Sequence, residues 1–163
     1  MSDTLPYESI PTYPSAVTPG AVVARLLDGL GFRFRWATHG LTADEVLFSP
    51  AEGTMSILQL VQHIWGLVNW VHLSITGQKR ERPSEFQQLR IAILDLIVDT
   101  RRRVANMGAD ELNQIAIEGL PFWHILNGPL ADALTHVGQV NSFRRLAGNP
   151  TPSANVFTGT PPA

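Results

Sequence analysis

The chain of 163 residues contains no cysteine, which excludes a disulfide framework, a thiolate zinc site, an iron–sulfur cluster and a cysteine nucleophile. Metal chemistry, if there is any, must run through His, Asp and Glu, and the sequence offers 5 histidines. Charge is also scarce, at 16% of residues, and neither sign dominates: 12 Lys and Arg stand against 14 Asp and Glu. No electrostatic excess is available for a phosphate backbone, so the local clusters Arg80-Glu81-Arg82 and Arg101-Arg102-Arg103 do not point to nucleic acid as a partner. The longest apolar stretch, Ile57 to Ile75, is broken by Gln59, Gln62, His63, Asn69 and His72. That suits a buried helix and not a membrane span. The start of the chain lacks a basic segment followed by an apolar run, so the expected address is the cytoplasm, with no membrane partner. Phosphate-binding glycine loops, internal repeats and a G-x-S-x-G nucleophile elbow are absent as well.

What is present is a hydrophobic fraction of 44% in a length that fits one domain with its own core. Most prolines fall near the two ends, so residues 1–17 and 149–163 read as extended arms around a helical body over 18–148. Their apolar residues Tyr7, Ile10, Tyr13, Val156 and Phe157 need cover, which the bundle or a second copy would provide. Thr18 followed by Pro19 predicts the start of a first helix with Val23, Leu26, Leu27, Leu30 and Phe34 inward, ending near His39-Gly40. Ser56 with Gln59 is a capping-box pattern for a second helix that Gly77 should stop. Ser84 with Gln87 repeats the pattern for a third, closed by Gly108. Asn127-Gly128-Pro129 signals the start of a last helix reaching about Ala147-Gly148. With no alternating strand pattern, the economical fold is all-α, a four-helix bundle.

On the last helix Asp132 and His136 are four residues apart, roughly 40° around the axis, so both side chains leave one face. They lie beside the apolar arc of Leu130, Ala133, Val137 and Val140. His63 holds a similar place on the second helix, beside Leu60 and Leu67. Two imidazoles and a carboxylate suit a divalent first-row metal with positions left open for water or substrate. Spacing alone leaves a second reading: hydrogen-bonded packing histidines, with Asp132 favouring the helix dipole.

The remaining polar and aromatic residues each carry two readings. His124 is a fourth ligand or substrate contact, or a loop histidine bonded to backbone. Gln139 holds a metal-bound water or ligand carboxylate, or ties helices together. Arg144 recognises an anionic cofactor, or, with Arg145, favours the helix dipole. Trp36, Trp65, Trp70 and Trp123 line a pocket or fill the core. His39 and His72 find no partner and are placed on the surface.

The segment from Gly128 to Gln139, Gly-Pro-Leu-Ala-Asp-Ala-Leu-Thr-His-Val-Gly-Gln, with Ser142-Phe143-Arg144-Arg145 and Gly148-Asn149-Pro150 behind it, resembles the terminal motif of the DinB-like family. Leu60-Val61-Gln62-His63-Ile64-Trp65 is similar to that family's second-helix histidine motif, and the likeness extends from about Thr18 to Pro150. The resemblance implies a four-helix bundle of up-down-down-up topology, usually dimeric, with a divalent metal, zinc or nickel, between the second and last helices. It maps His63 onto the second-helix ligand and His136 onto the second histidine of an H-x-x-x-H pair. Asp132 stands where the first would be, and the maleylpyruvate isomerase-like branch is similar in carrying a carboxylate there. The implied activity is metal-dependent hydrolysis or transfer of a low-molecular-weight thiol to a small-molecule electrophile. The alternative is a non-catalytic binding or stress-response module in which the aspartate marks a degenerate site.

Overall fold

The computed structural model describes residues 5–163; residues 1–4 of the N-terminal arm lie outside the described residues. The fold is all-α. Four long helices, α1 (Pro19–Ala37), α2 (Ile57–Thr76), α3 (Phe86–Val104) and α6 (Ala131–Leu146), carry it, with short α4 (Ala109–Asn113) and α5 (Trp123–Ile125) between the last two. Each of the four packs on two others: α1 and α2 both lie against α3 and α6. Leu27, Leu30, Leu60, Ile64, Leu89, Ile93, Ile97, Val137 and Val140 fill the space they enclose.

The capping chemistry sets most of the boundaries. The Thr18 hydroxyl accepts from the Ala21 amide at 3.2 Å with Pro19 behind it. Ser56 and Gln59 form the reciprocal box at 3.2 and 2.8 Å, and Gly77 ends α2 in the left-handed region at φ 72°. Three boundaries differ from the sequence expectation. Glu85, not Ser84, caps α3 by accepting from Gln88 N at 3.0 Å, because a carboxylate is the stronger acceptor and the Gln87 amide turns away to Leu41 O. Gly108 opens α4 instead of closing α3, its N–H given to Glu111 Oε2 at 2.8 Å. The last helix starts later than Asn127: Pro129 restricts the residue before it, and the chain makes a wide turn with Gly128 at φ −92°, ψ −109°. A two-residue antiparallel pair, β1 (Ala116–Ile117) with β2 (Leu120–Pro121), stands where the sequence predicts no strand. Glu118 and Gly119 both take positive φ, 48° and 78°, as a tight hairpin turn requires.

Contacts along the helices give their directions. Thr38 meets Arg90, Asp28 meets Arg101 and Gly20 meets Met107, so α1 and α3 run antiparallel. After α2 the chain doubles back along it: Gln78 O faces His72 Nδ1 at 2.9 Å, and the Arg80 main chain pairs with the Asn69 amide at 3.2 and 3.3 Å. The crossing segment 78–85 therefore delivers α3 to the starting end of α2, and the two run parallel.

The arms fold onto the same chain. Tyr7 is buried on Gly31, where a Cβ would meet the phenol ring, and burial, with the Asp28 carboxylate nearby, pushes its phenol above the usual tyrosine range. Burial pushes Asp28 above the usual carboxylate range, and the Arg101 guanidinium opposes that. Ile10 N donates to Gly159 O at 2.9 Å, joining the two arms. Tyr13 and Phe157 stay 78% and 93% exposed, and the sequence expectation of cover for them is not met within this chain. Leu26, expected inward, is at the surface.

Gly20 is the closest helix approach: a Cβ there would lie 2.3 Å from Val104 O and 2.6 Å from Met107 O, both backbone. Gly20→Ala should lower stability by about 1–3 kcal/mol, whereas Gly138→Ala, on an open face of α6, should raise it by about 0.5–1 kcal/mol. Urea unfolding of the two variants checks this, and a Gly20→Ala protein as stable as Gly138→Ala would refute the close contact.

Candidate metal centre

Helix α2 presents His63 one turn after its capping box, on the margin of the stripe Leu60, Ile64 and Leu67, and α6 presents Asp132 in its first turn and His136 one turn later. One ligand atom from each of the three lies within 4.8 Å of the other two, and all three residues are half-buried. Asp132 stands between the imidazoles, with Oδ2 3.4 Å from His63 Nε2 and Oδ1 3.3 Å from His136 Nε2. The rings meet edge to face, centroids 4.6 Å apart at 87°.

Nδ1 of His136 lies 2.6 Å from Gln139 Oε1, a carbonyl-type acceptor to which an Nδ1–H can donate. Nε2 is the ring nitrogen turned to the cluster, 3.3 Å from Asp132 Oδ1. With Nδ1 so engaged, Nε2 can serve as a ligand atom. A divalent ion fits the donor set: with metal–ligand bonds of about 2.0–2.1 Å, neighbouring ligand atoms in a tetrahedral shell sit about 3.3 Å apart. Two neutral imidazoles and one carboxylate would leave a dication with net positive charge for an anionic fourth ligand.

Two clefts flank the cluster, with Leu67 and Trp70 in the wall of both. One, of about 520 Å³, opens beside Asp132 and is lined by Ile117, Leu120, Pro129, Glu118, Asn127 and His124. The other, of about 510 Å³, opens beside His63 and is lined by Met55, Gln59, Gln62, Gly66 and Arg82. Of the sequence candidates, His124 is exposed in the first cleft and lies outside the ligand group, and Trp70 forms wall. Gln139 Oε1 lies 2.6 Å from Nδ1 of His136, three residues earlier on the same helix, and so holds that ring.

Two residues sit in surroundings the sequence does not predict. Arg144 is 1% exposed and its donors are taken up inside the protein: by Trp36 O and Ala37 O at the end of α1, by His39 O just beyond it, and by Asn149. Burial lowers its pKa from the usual arginine value, with Glu45 opposing. His72 is fully buried, its Nε2 at 2.8 Å from Asp99 and its Nδ1 on Gln78 O, so it fastens the crossing segment between α2 and α3. His39 is half-buried against the Trp36 ring at 5.2 Å. Trp36 and Trp65 are core, while Trp123 is 69% exposed.

Sequence reasoning passed over Glu118, Asn127 and Arg82 as cleft residues. No local signal marks them, because they reach the clefts through the hairpin, the wide turn and the crossing segment. Comparison of the chain with protein-family models, curated proteins and solved structures finds no match. Among the described residues no helix is long and apolar enough to cross a membrane.

Gln139→Leu should weaken zinc affinity by about tenfold to hundredfold by releasing the His136 ring, while Gln139→Glu keeps an acceptor on Nδ1 and retains affinity. Competition against a fluorescent zinc chelator measures both, and equal affinity for Gln139→Leu and the unsubstituted protein would count against this role.

Proposed function

We propose that this chain is a divalent-metal-dependent enzyme of the DinB-like kind, a hydrolase or low-molecular-weight-thiol transferase, with zinc or nickel held by His63, Asp132 and His136. The observation that carries the reading is the convergence of His136 Nε2 and His63 Nε2 on the two oxygens of Asp132, at 3.3 and 3.4 Å, with one ligand atom of each residue within 4.8 Å of the others. The helix directions support it: α1 is antiparallel to α3, α3 is parallel to α2 and the ends of α1 and α6 meet at Arg144, as an up-down-down-up bundle would have them. When bound, the ion supplies Lewis-acid activation of water or a thiol.

The protein supplies the rest. Gln139 engages Nδ1 of His136. Leu67, Trp70, Ile117 and Pro129 give the cleft beside Asp132 apolar walls that exclude water from a bound small molecule, while His124, Asn127 and Thr135 offer it polar contacts. A homodimer and a cytoplasmic address belong to the same reading. Apolar surface at Val17, in the arm just before α1, and at Val22 on α1, 91% and 55% exposed, supports the homodimer.

Calorimetric titration of metal-free protein with zinc and with nickel tests the centre. Saturable binding at one ion per chain is expected, weakened by at least about tenfold in His63→Ala or His136→Ala. Equal binding by the doubly substituted protein would return the three residues to packing and leave a non-catalytic module as the better account.

A further inference from the structure

The two clefts differ in charge. Glu118 and Asp132 line the one beside Asp132, but no acidic residue lines the one beside His63. The polar part of that second cleft's wall carries donors, on Arg82 and the amides of Gln59 and Gln62. Gln59 Oε1 is committed to the Ser56 amide at 2.8 Å by the capping box, which leaves its NH₂ group as the free end. Arg82 lies in the wall of the same cleft, and among the described residues its guanidinium has no ion pair or hydrogen bond. The adjacent Glu81 makes no ion pair with it among the described residues and does not line this cleft; the two share only the adjoining hollow, with Lys79 and Arg80. The placement of Arg82 is set by the doubled-back crossing segment, pinned at Gln78 by His72 and at Arg80 by Asn69.

We propose that the cleft beside His63 is a carboxylate subsite, in which the Arg82 guanidinium and the Gln59 amide take the anionic group of a small molecule whose reacting end lies at the metal centre. The proposal rests on the metal-centre reading above and narrows its substrate class to anionic molecules. A planar guanidinium matches a carboxylate with two parallel N–H···O bonds, and the loss of such a charge-assisted contact costs about tenfold or more in affinity. The carboxylate belongs either to the thiol or to the molecule that is attacked.

Two probe pairs on the cobalt(II)-loaded protein, followed by visible absorption, separate these sources: 3-mercaptopropionate against 2-mercaptoethanol, and succinate monohydroxamate against acetohydroxamate. In one pair the carboxylate-bearing member should bind about tenfold tighter, and Arg82→Ala should erase that preference without changing affinity for cobalt or for the neutral probe. Preference in the first pair places the carboxylate on the thiol, in the second on the attacked molecule. Binding within about twofold for both pairs, or a preference that survives Arg82→Ala, overturns the subsite. Cobalt affinity that ignores His63→Ala and His136→Ala sinks the metal centre instead. The subsite is then judged on metal-free protein, where succinate should shift the Arg82 Nε–Hε resonance saturably and an unmoved resonance overturns it.

Discussion

The guanidinium of Arg144, buried against the last carbonyls of α1, sets the position of the helix that carries two of the three candidate ligands. It receives no carboxylate of its own; its donors go to main-chain oxygens of Trp36, Ala37 and His39 and to both oxygens of Asn149. Trp36 and Ala37 are in the last turn of α1, whose carbonyls an α-helix leaves without partners from its own ladder, and His39 follows just beyond its end. Asn149 in turn donates to Glu45 at 2.8 Å, and Glu45 accepts from the Thr42 amide, so one network ties α1, α6 and the connection to α2. Because a helix rises about 1.5 Å per residue, fixing Arg144 fixes His136 and Asp132 about 12 and 18 Å up the same axis. The geometry of the cluster is thus decided at the far end of α6 as much as beside it.

At the cluster itself the constraint is electrostatic. The Gln139 amide engages Nδ1 of His136 and leaves Nε2 facing the Asp132 carboxylate. His63 Nε2 stands at the other oxygen of the same carboxylate, so three possible ligand atoms converge on one point. The clefts on either side extend this polarity outward, one with acidic residues and a histidine, the other with Arg82 and amide donors. A molecule bridging both would be oriented by charge before any chemistry takes place.

Much of this was legible from side-chain chemistry at fixed offsets. Thr18-Pro19 and Ser56 with Gln59 place the starts of α1 and α2, and the i, i+4 relation of Asp132 to His136 puts both on the face that meets His63. The two unpredicted surroundings share a cause. His72 follows Ile64 and Val68 at steps of four, and Arg144 follows Val137 and Val140 at steps of three and four. A polar residue on an apolar stripe is a buried polar residue with partners elsewhere, and the stripe was read without them. The Glu85 cap and the hairpin at Glu118-Gly119 were decided by competition between adjacent candidates and by a turn of only two residues. The return of segment 78–85 along α2 depends on the buried Asn69 and His72 acting across space, which no local pattern encodes.

X-ray absorption at the zinc edge of the loaded protein tests the central claim most directly. The account predicts a first shell of nitrogen and oxygen near about 2.0–2.1 Å without sulfur, and outer-shell scattering from two imidazole rings per zinc. Spectra with fewer than two imidazoles, or with an all-oxygen shell, would contradict a centre made by His63, Asp132 and His136.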